Sequence, residues 1–313
     1  MKKGRYYQPN VEIIWVRILK EVFLLYRIGI LQLTQNLDDA VHGFKQGLSD
    51  QGIEADFHYL NADGNLDELP NLASKLAALN VDLIFACSTP AAAAAVELPD
   101  NIPVVFTPVF DPVGAKLVKS MDKPGSKATG VSGMVKVEEK VAFIRRVLPN
   151  AKKLGVLYHA QDLNALLEID NFRQAAQNIF TLVELPINQP EELSKIDTLL
   201  TSDMDALFIP IGRIIEENFA TVVYYTDDAN IPVIASHAPN VPGGALAALV
   251  SNHHKLGEAC AVKAAQILNG TSPSVIPVGI VEQPEILLNG FVAENLGIEF
   301  PSNLVTQAKE IYE

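Results

Sequence analysis

From residue 27 onward the sequence predicts an α/β protein made of two similar lobes, each with a doubly wound, largely parallel sheet. Short β-branched segments alternate with amphipathic segments of helical period, which is the pattern of successive βαβ units. Pieces of the first half also recur in the second half in the same order. The 313 residues are enough for two domains that each bury a core of their own.

The spacing of apolar residues predicts the elements of the first lobe. Residues 27–33, RIGILQL, form a strand, and the helix after it carries apolar residues from Leu37 to Leu48 at steps of three and four before Gly52 ends it. An alternating strand, a leucine-rich helix and two buried strands, VDLIFA and IPVVFTPV, complete the lobe. A five-stranded doubly wound sheet is the expected result.

Three strand segments of the first lobe have counterparts later in the chain. The matched pairs begin at Ile28 and Leu154, at Asp82 and Asp205, and at Ile102 and Ile231. One such match between apolar strands would be unremarkable, but three in one order with near-constant spacing indicate a duplicated half-chain.

The chain is predicted to cross between the lobes three times on hinge strands. The Gly-, Ser- and Lys-rich segment KPGSKATGVSGM gives the first crossing, with a hinge near 130–134, and PGGALAALV and PVGIVEQ give the others. Lobe 1 is then residues 27–131 with 252–278, and lobe 2 is 132–251 with 279–313. The tail is expected to form two short helices split by Pro301. Residues 1–26 have a basic start and charge-interrupted apolar residues, and are interpreted as a leader or as the result of a start site set too far upstream.

Composition excludes several classes of function. Lys and Arg total 24 against 37 for Asp and Glu, and the net charge of −13 would repel a nucleic-acid backbone. Two cysteines, Cys87 and Cys260, each lie in an apolar run and cannot form a disulfide framework. The sequence has no P-loop, GxSxG or HExxH motif, so no catalytic motif and no cofactor are expected.

The best candidate binding segment follows the buried strand VDLIFA. Thr89 is predicted as a helix N-cap with Pro90 at the first helical position, and Ser88 precedes them. Ligands of parallel α/β sheets bind outside the carboxyl ends of the strands, and a helix N-terminus there suits a carboxylate. A capped helix without a ligand role is the alternative.

Further candidates lie at other strand ends. Asp111, before Pro112, is predicted mainly as a helix N-cap, and Phe110 is either a pocket wall or a core residue. His159 and His237 end strands about 10 Å apart in doubly wound order. A shared metal between them is kept as a weakly supported alternative, and the prediction is that there is no metal site. The second-lobe candidates are Tyr158, His159, Ile211, Gly212, Ser236 and His237.

Several long segments resemble the substrate-binding proteins of ABC transporters, in the family related to tryptophan- and tyrosine-binding components. They are VDLIFACSTPAAAAA, IPVVFTPVFDPVGAKLV, ATGVSGM, LPNAKKLGVLYHA and LGIEFPSNLVTQAKEIYE, and the resemblance covers about residues 27–313. It implies a type I periplasmic binding fold of two Rossmann-like lobes, and an extracytoplasmic monomer that closes on a small ligand and serves a permease with its ATPase. It also implies a ligand carboxylate on Ser88 and Thr89, with contacts at Phe110, Ser132, Tyr158, Ile211 and Ser236.

The ligand class stays open at this point. Amino-acid binders of this family typically offer an acidic or amide group to the ligand's ammonium, whereas the second-lobe segments here read IPIGRII and ASHAPNV, and the nearest acid is Asp162. An aromatic or apolar amino acid and another small carboxylate both remain compatible.

Two other functions are weighed against the transporter component. One is a ligand-sensing domain of a regulatory system. The other is a cofactor-independent racemase, because ACSTPA resembles the first-cysteine loop of the aspartate and glutamate racemases. The second cysteine of such an enzyme is missing from its expected place, since Cys260 falls within a predicted helix. A non-enzymatic binding protein is therefore the prediction.

Overall fold

The computed structural model describes residues 25–313, which form two sheets flanked by helices. The interpretation of the N-terminal segment as a leader or a mis-set start concerns residues that lie, apart from the last two, outside this range. We call the first sheet with its helices the first lobe, and the second sheet with its helices the second lobe.

The strands and helices have the following bounds. The strands are β1 (Tyr26–Gln32), β2 (Ala55–Asn61), β3 (Leu83–Cys87), β4 (Val104–Val109), β5 (Ala128–Ser132), β6 (Lys153–His159), β7 (Thr181–Ile187), β8 (Ala206–Ile209), β9 (Val233–Ala235), β10 (Ala247–Val250), β11 (Glu285–Asn289) and β12 (Glu310–Tyr312). The α-helices are α1 (Asp38–Asp50), α2 (Leu69–Ala78), α3 (Thr89–Val96), α4 (Val137–Val147), α5 (Leu163–Ala175), α6 (Arg213–Glu217), α7 (Phe219–Asp228), α8 (His253–Leu268), α9 (Gly290–Leu296) and α10 (Ser302–Gln307).

The first sheet is parallel throughout, with the strand order β2-β1-β3-β4-β5. This is the doubly wound order predicted from the alternation of strands and helices, and the prediction is confirmed. Helix α8 packs against α1 although the whole second sheet up to β10 lies between them in the chain. A Cβ added at Gly43 would lie 2.0 Å from the carbonyl oxygen of His254, so the absence of a side chain allows this close approach.

The second sheet repeats this order and extends it. Strands β7-β6-β8-β9-β10 follow the same arrangement, and β11 and β12 are added beyond β10. Strand β11 runs antiparallel to β10, and β12 pairs with β11, so the C-terminal tail joins the second sheet. The two short helices predicted around Pro301 are confirmed as α9 and α10, while the strands β11 and β12 were not predicted.

Equivalent residues perform the same local task in both lobes, which confirms the duplication. The Asp82 carboxylate accepts a hydrogen bond from the backbone N–H of Arg27 at 2.8 Å. The Asp205 carboxylate accepts from the N–H of Lys153, also at 2.8 Å. Each aspartate thereby joins the start of its lobe's first strand to the start of the third.

Stacked phenylalanines repeat in the two cores as well. Phe44 of α1 stacks on Phe85 of β3 with ring centroids 4.0 Å apart. Phe172 of α5 stacks on Phe208 of β8 at 4.3 Å. All four rings are essentially buried, so both lobes join a helix to the third strand by the same aromatic contact.

The crossings between the lobes differ in part from the prediction. Strand β5 leads out of the first lobe, and Val131 pairs in parallel with Gly279 of the returning segment, so two crossings lie side by side. The remaining crossing follows the strand predicted in PGGALAALV, and it is made by the two residues after that strand. Strand β10 lies wholly within the second sheet, and residues 251–252 connect it directly to α8. The lobe boundaries given above stay a prediction.

Replacing Asp205 tests the hydrogen bonds that a carboxylate accepts from backbone N–H groups at the amino ends of the strands. Asp205→Ala leaves the N–H groups of Lys152 and Lys153 without their carboxylate acceptor, and we expect a loss of about 1 kcal/mol and a fall in Tm of about 2–4 °C. Asp203→Ala is the matched control, because Asp203 forms only an exposed ion pair with the Lys153 side chain and a bond to Thr201. An equal fall in both variants would contradict the prediction.

The same variant has a defined pH dependence. Hydrogen bonds from the backbone of Lys152 and Lys153 lower the pKa of Asp205. The carboxylate therefore stabilises the fold above its unfolded-state pKa of about 3.9, and this contribution is lost as the pH falls through the lower folded-state pKa. The difference in Tm between wild type and Asp205→Ala should shrink towards zero in acid, as measured by calorimetric scans at several pH values.

Candidate functional site

Ser88 marks the point where the first lobe turns from a strand into a helix. Its backbone N–H donates to the carbonyl of Thr107 at 3.1 Å, so the chain stays tied to β4 for one residue beyond β3. The turn then takes place at Ser88 itself, with φ of 99° and ψ of 158°, a conformation that costs an L-residue free energy. The prediction of Thr89 as the N-cap is wrong for this reason: Ser88 is the N-cap, and Pro90 is the second helical residue.

The start of α3 leaves backbone donors at the carboxyl end of the sheet. Pro90 has no N–H, and the N–H of Ala91 reaches the hydroxyl of Ser88 only at 3.4 Å, which is a weak bond. Ser88 and Thr89 are half-buried, whereas Cys87 beneath them is fully buried. Polar donors and the positive end of a helix dipole therefore face outward above an apolar floor.

The loop after β4 brings Phe110 and Asp111 to the same end of the first sheet. The Asp111 carboxylate accepts from the N–H of Gly114 at 2.8 Å. Residues 112–116 form turns rather than a helix, and Lys116 adopts φ of 58°. The prediction of Asp111 as a helix N-cap is therefore wrong, and it caps a turn instead. The Ser132 hydroxyl donates to the carbonyl of Phe110 at 3.2 Å, which links this loop to the first crossing.

Tyr158 and His159 end the first strand of the second lobe. The Tyr158 side chain belongs to the core under α5, and its hydroxyl donates to Glu184 at 3.0 Å. Burial raises the pKa of Tyr158, and the bond to Glu184 raises it further. The hydroxyl of Tyr158 is thus engaged within the lobe, while His159 is half-buried at the strand end. A ligand role for either residue stays a prediction.

The loops after β8 and β9 carry the other second-lobe candidates. The N–H of Ile211 donates to Glu168 at 3.1 Å, and the N–H of Gly212 donates to Glu216 at 3.0 Å. The Ser236 hydroxyl donates to Glu168 at 2.7 Å. Both backbone donors and the hydroxyl at these strand ends are therefore taken up by carboxylates.

Three charged residues at this end of the second lobe were missed in the sequence. Lys140 and Glu168 form a buried ion pair, with side chains 4% and 0% exposed. Glu216 is 18% exposed, and its second oxygen lies 3.9 Å from Nδ1 of His237. Asp162, the nearest acid found by sequence, caps α5 by accepting from the N–H groups of Asn164 and Ala165.

The sequence did contain a signal for each of these residues. Lys140 falls on the apolar stripe of α4, Glu168 falls on that of α5, and an isolated charge on a buried stripe requires a partner. Glu216 lies in the first turn of a helix that follows a strand end, where acids commonly cap backbone donors.

Metal and thiol chemistry find no support at these strand ends. Between residues 25 and 313, no group of three His, Cys, Asp or Glu side chains could hold a metal ion. Cys87 is fully buried, and burial raises the pKa of its thiol well above the usual value. A neutral, inaccessible thiol suits a core position and not an acid–base role.

Comparison with known proteins decides the family. The family model described as ABC transporter substrate binding protein matches residues 27–312, nearly the entire described chain. The chain belongs to this family. It is a non-enzymatic, substrate-binding member with the two-lobed periplasmic binding protein fold. In the described part of this family member, no helix is both long and apolar enough to cross a bilayer.

The substrate-binding protein has close relatives of known structure and name. It is 34% identical over 271 residues to a protein named tyrosine-binding protein from Clostridioides difficile, covering 84% of this chain and 78% of that one. It is 29% identical to the ABC domain from Streptococcus pneumoniae solved in complex with L-Trp, with a TM-score of 0.81 and coverage of 92% and 99%. It is 33% identical to a substrate-binding protein with adhesive properties from Clostridium difficile in a ligand-free, open structure, with a TM-score of 0.82 and the same coverage.

Substitutions at Ser88 test the strained turn of this substrate-binding protein. Ser88→Gly removes the Cβ that makes the φ of 99° costly, a relief of about 1–3 kcal/mol, and a glycine N-cap costs only a few tenths, so Tm should be unchanged or higher. Ser88→Ala keeps the strain and loses the cap, so it should be destabilised by about 0.5–2 kcal/mol. Thermal unfolding of both variants is the measurement, and a lower Tm for glycine than for alanine would contradict it.

Proposed function

We propose that this protein is the extracytoplasmic substrate-binding component of an ABC importer and captures an aromatic amino acid between its lobes by hinge closure. The observation that carries the proposal is that polar groups lie at the carboxyl ends of the strands in each of the two lobes. The first lobe offers the N-terminus of α3, which begins directly after Ser88, and the second offers a carboxylate at Glu216. The relative named tyrosine-binding protein and the relative solved in complex with L-Trp support the same ligand class.

The first-lobe face suits the carboxylate of the ligand. The donors at the start of α3 are only weakly engaged within the protein, and the dipole of the helix adds attraction for an anion. The Asp111 carboxylate, on the loop at the same end of the first sheet, already accepts from the N–H of Gly114. An anionic group would therefore meet donors here.

The second-lobe face suits the ammonium of the ligand. The Glu216 carboxylate accepts a hydrogen bond from the N–H of Gly212, and the residue is partly exposed. A carboxylate of this kind can accept a charge-assisted hydrogen bond from an ammonium group. The segment IPIGRII contains no acid, but Glu216 follows it directly in the sequence. Glu216 thus supplies the acidic group for the ammonium, and an α-amino acid is the favoured ligand.

Apolar side chains at the same strand ends suit an aromatic ring. Leu163, the first residue of α5, follows the loop after β6 and is 81% exposed. Phe110 on the first lobe is 9% exposed and is held by the bond from Ser132 to its carbonyl. Closure of the lobes would remove Leu163 from water, which favours a ligand that brings an apolar surface of its own.

The remaining partners follow from the family. A substrate-binding component delivers its ligand to a permease that is driven by an ATPase, and we propose such a pair as partners of a monomeric protein. The hinge lies where Val131 pairs with Gly279 and where residues 251–252 join β10 to α8. Rotation at a few residues of this kind is the usual basis of closure in binding proteins.

Isothermal titration with L-tyrosine and L-tryptophan tests the proposed function directly. Wild type should bind at least one of them, and Ser88→Asp should weaken binding about 100-fold or more, because the new carboxylate lies beside that of the ligand. Ser302→Asp is the control, since it places the same substitution at the start of α10 in the C-terminal tail. Absence of binding by wild type would overturn the proposed ligand class.

A second titration tests Glu216 against the ammonium group. Wild type should prefer L-tyrosine over 3-(4-hydroxyphenyl)propionate, which lacks the ammonium, and Glu216→Gln should weaken L-tyrosine binding about tenfold while sparing the analogue. Glu217→Gln is the control, because the neighbouring Glu217 pairs with Arg213 at the surface. An equal loss for both ligands in Glu216→Gln would assign Glu216 to helix capping alone.

A further inference from the structure

A charged pair is buried behind the ligand-facing loops of the second lobe. Lys140 on α4 and Glu168 on α5 have side chains that are 4% and 0% exposed, and their charged atoms are in direct contact. Taking both charges out of water is costly, and apolar residues of similar volume are often at least as stable in such places. Stability therefore gives no reason for charges at this position.

The hydrogen bonds of the pair lead to two strand-end loops. Lys140 Nζ donates to the Ser236 hydroxyl at 2.9 Å, and that hydroxyl donates to Oε1 of Glu168 at 2.7 Å. The other oxygen, Oε2, accepts from the N–H of Ile211 at 3.1 Å. One buried carboxylate thus holds the loop after β8 and the loop after β9.

The loop after β8 also contains the proposed ammonium acceptor. Ile211 immediately precedes Gly212, whose N–H donates to Glu216 at 3.0 Å. The bond to the N–H of Ile211 restrains the peptide that precedes the one carrying the Gly212 N–H. This restraint limits the directions in which the Gly212 N–H can point, and with them the position of the Glu216 carboxylate.

The charges of the pair offset each other as well. The opposite charges of Lys140 and Glu168 are in direct contact, so the pair adds little net field at the loop that leads to Glu216.

We propose that Lys140 and Glu168 are positioning residues that hold the loops of Ile211 and Ser236 in the geometry that binds the ligand. The proposal rests on the proposed function for its affinity readout. Its structural part concerns the ligand-free protein and can be tested without any ligand.

The central experiment compares stability, affinity and loop protection in Lys140→Met/Glu168→Met. This double variant replaces both charges by apolar side chains of similar length, so relief of the charge burial should offset much of the stability lost with the hydrogen bonds, and we expect it to fold. Its affinity for L-tyrosine should fall about tenfold or more, because the N–H of Ile211 and the hydroxyl of Ser236 lose their carboxylate. Amide hydrogen exchange over residues 208–217 should be faster, with residues 104–110 of the first lobe unchanged.

Asp205→Ala is the control for stability, since Asp205 lies at the opposite end of the second sheet. It should lower Tm while leaving the affinity and the exchange of residues 208–217 as in wild type. If Lys140 and Glu168 acted through stability alone, the double variant would resemble Asp205→Ala and would also keep wild-type affinity and wild-type exchange over residues 208–217.

Glu168→Gln covers the case in which the double variant fails to fold. It retains the shape of the side chain but leaves Lys140 without its counter-charge, and it should show the same faster exchange and weaker binding. Unchanged affinity and unchanged exchange in a folded variant would overturn the proposal. If wild type binds neither aromatic amino acid, the proposed function fails, and the exchange of residues 208–217 alone decides the role of the pair.

Discussion

The packing of α8 against α1 is the contact on which the arrangement of the two lobes depends. Helix α8 begins three residues after β10 ends, so its position on the first lobe fixes where the second sheet can lie. The two helix backbones approach closely because each helix has a glycine at the contact. A Cβ at Gly257 of α8 would lie 2.0 Å from the carbonyl oxygen of Ala40 on α1. The parallel contact between Val131 and Gly279 provides a second attachment beside it.

Much of the fold could be predicted because the spacing of apolar residues in most segments matches the strand or helix that the segment forms. The repeated strand segments carry their own signals, and the paired aspartates Asp82 and Asp205 perform the same task in each lobe. Strands β11 and β12 were missed because they are short and lie at one side of the second sheet, where they depend on pairing with β10 and with each other. Pairing between distant segments leaves little trace in local spacing.

The candidate site was predictable at the level of segments but less so at the level of atoms. The strand ends of both lobes do carry the expected residues, since topology alone determines where parallel strands end. The N-cap was displaced from Thr89 to Ser88 by a bond from Ser88 to Thr107 on the neighbouring strand, which no local rule reveals. The buried contact of Lys140 with Glu168 joins residues 28 positions apart on two helices. In the sequence, each charge therefore stands alone among the apolar residues of its own helix, and no local pattern pairs the two.

Residues 133–252 separate the last strand of the first sheet from α8, and this separation affects how the protein folds during synthesis. A ribosome completes β5 at Ser132 and then synthesises about 120 further residues before α8 emerges, which at about 5–20 residues per second takes on the order of 10 s. During this interval the face of α1 that receives α8, including Gly43 and Gly47, has no cover. The first lobe therefore reaches its final packing only after most of the second has been translated, and a nascent chain of this kind exposes a site for chaperones until then.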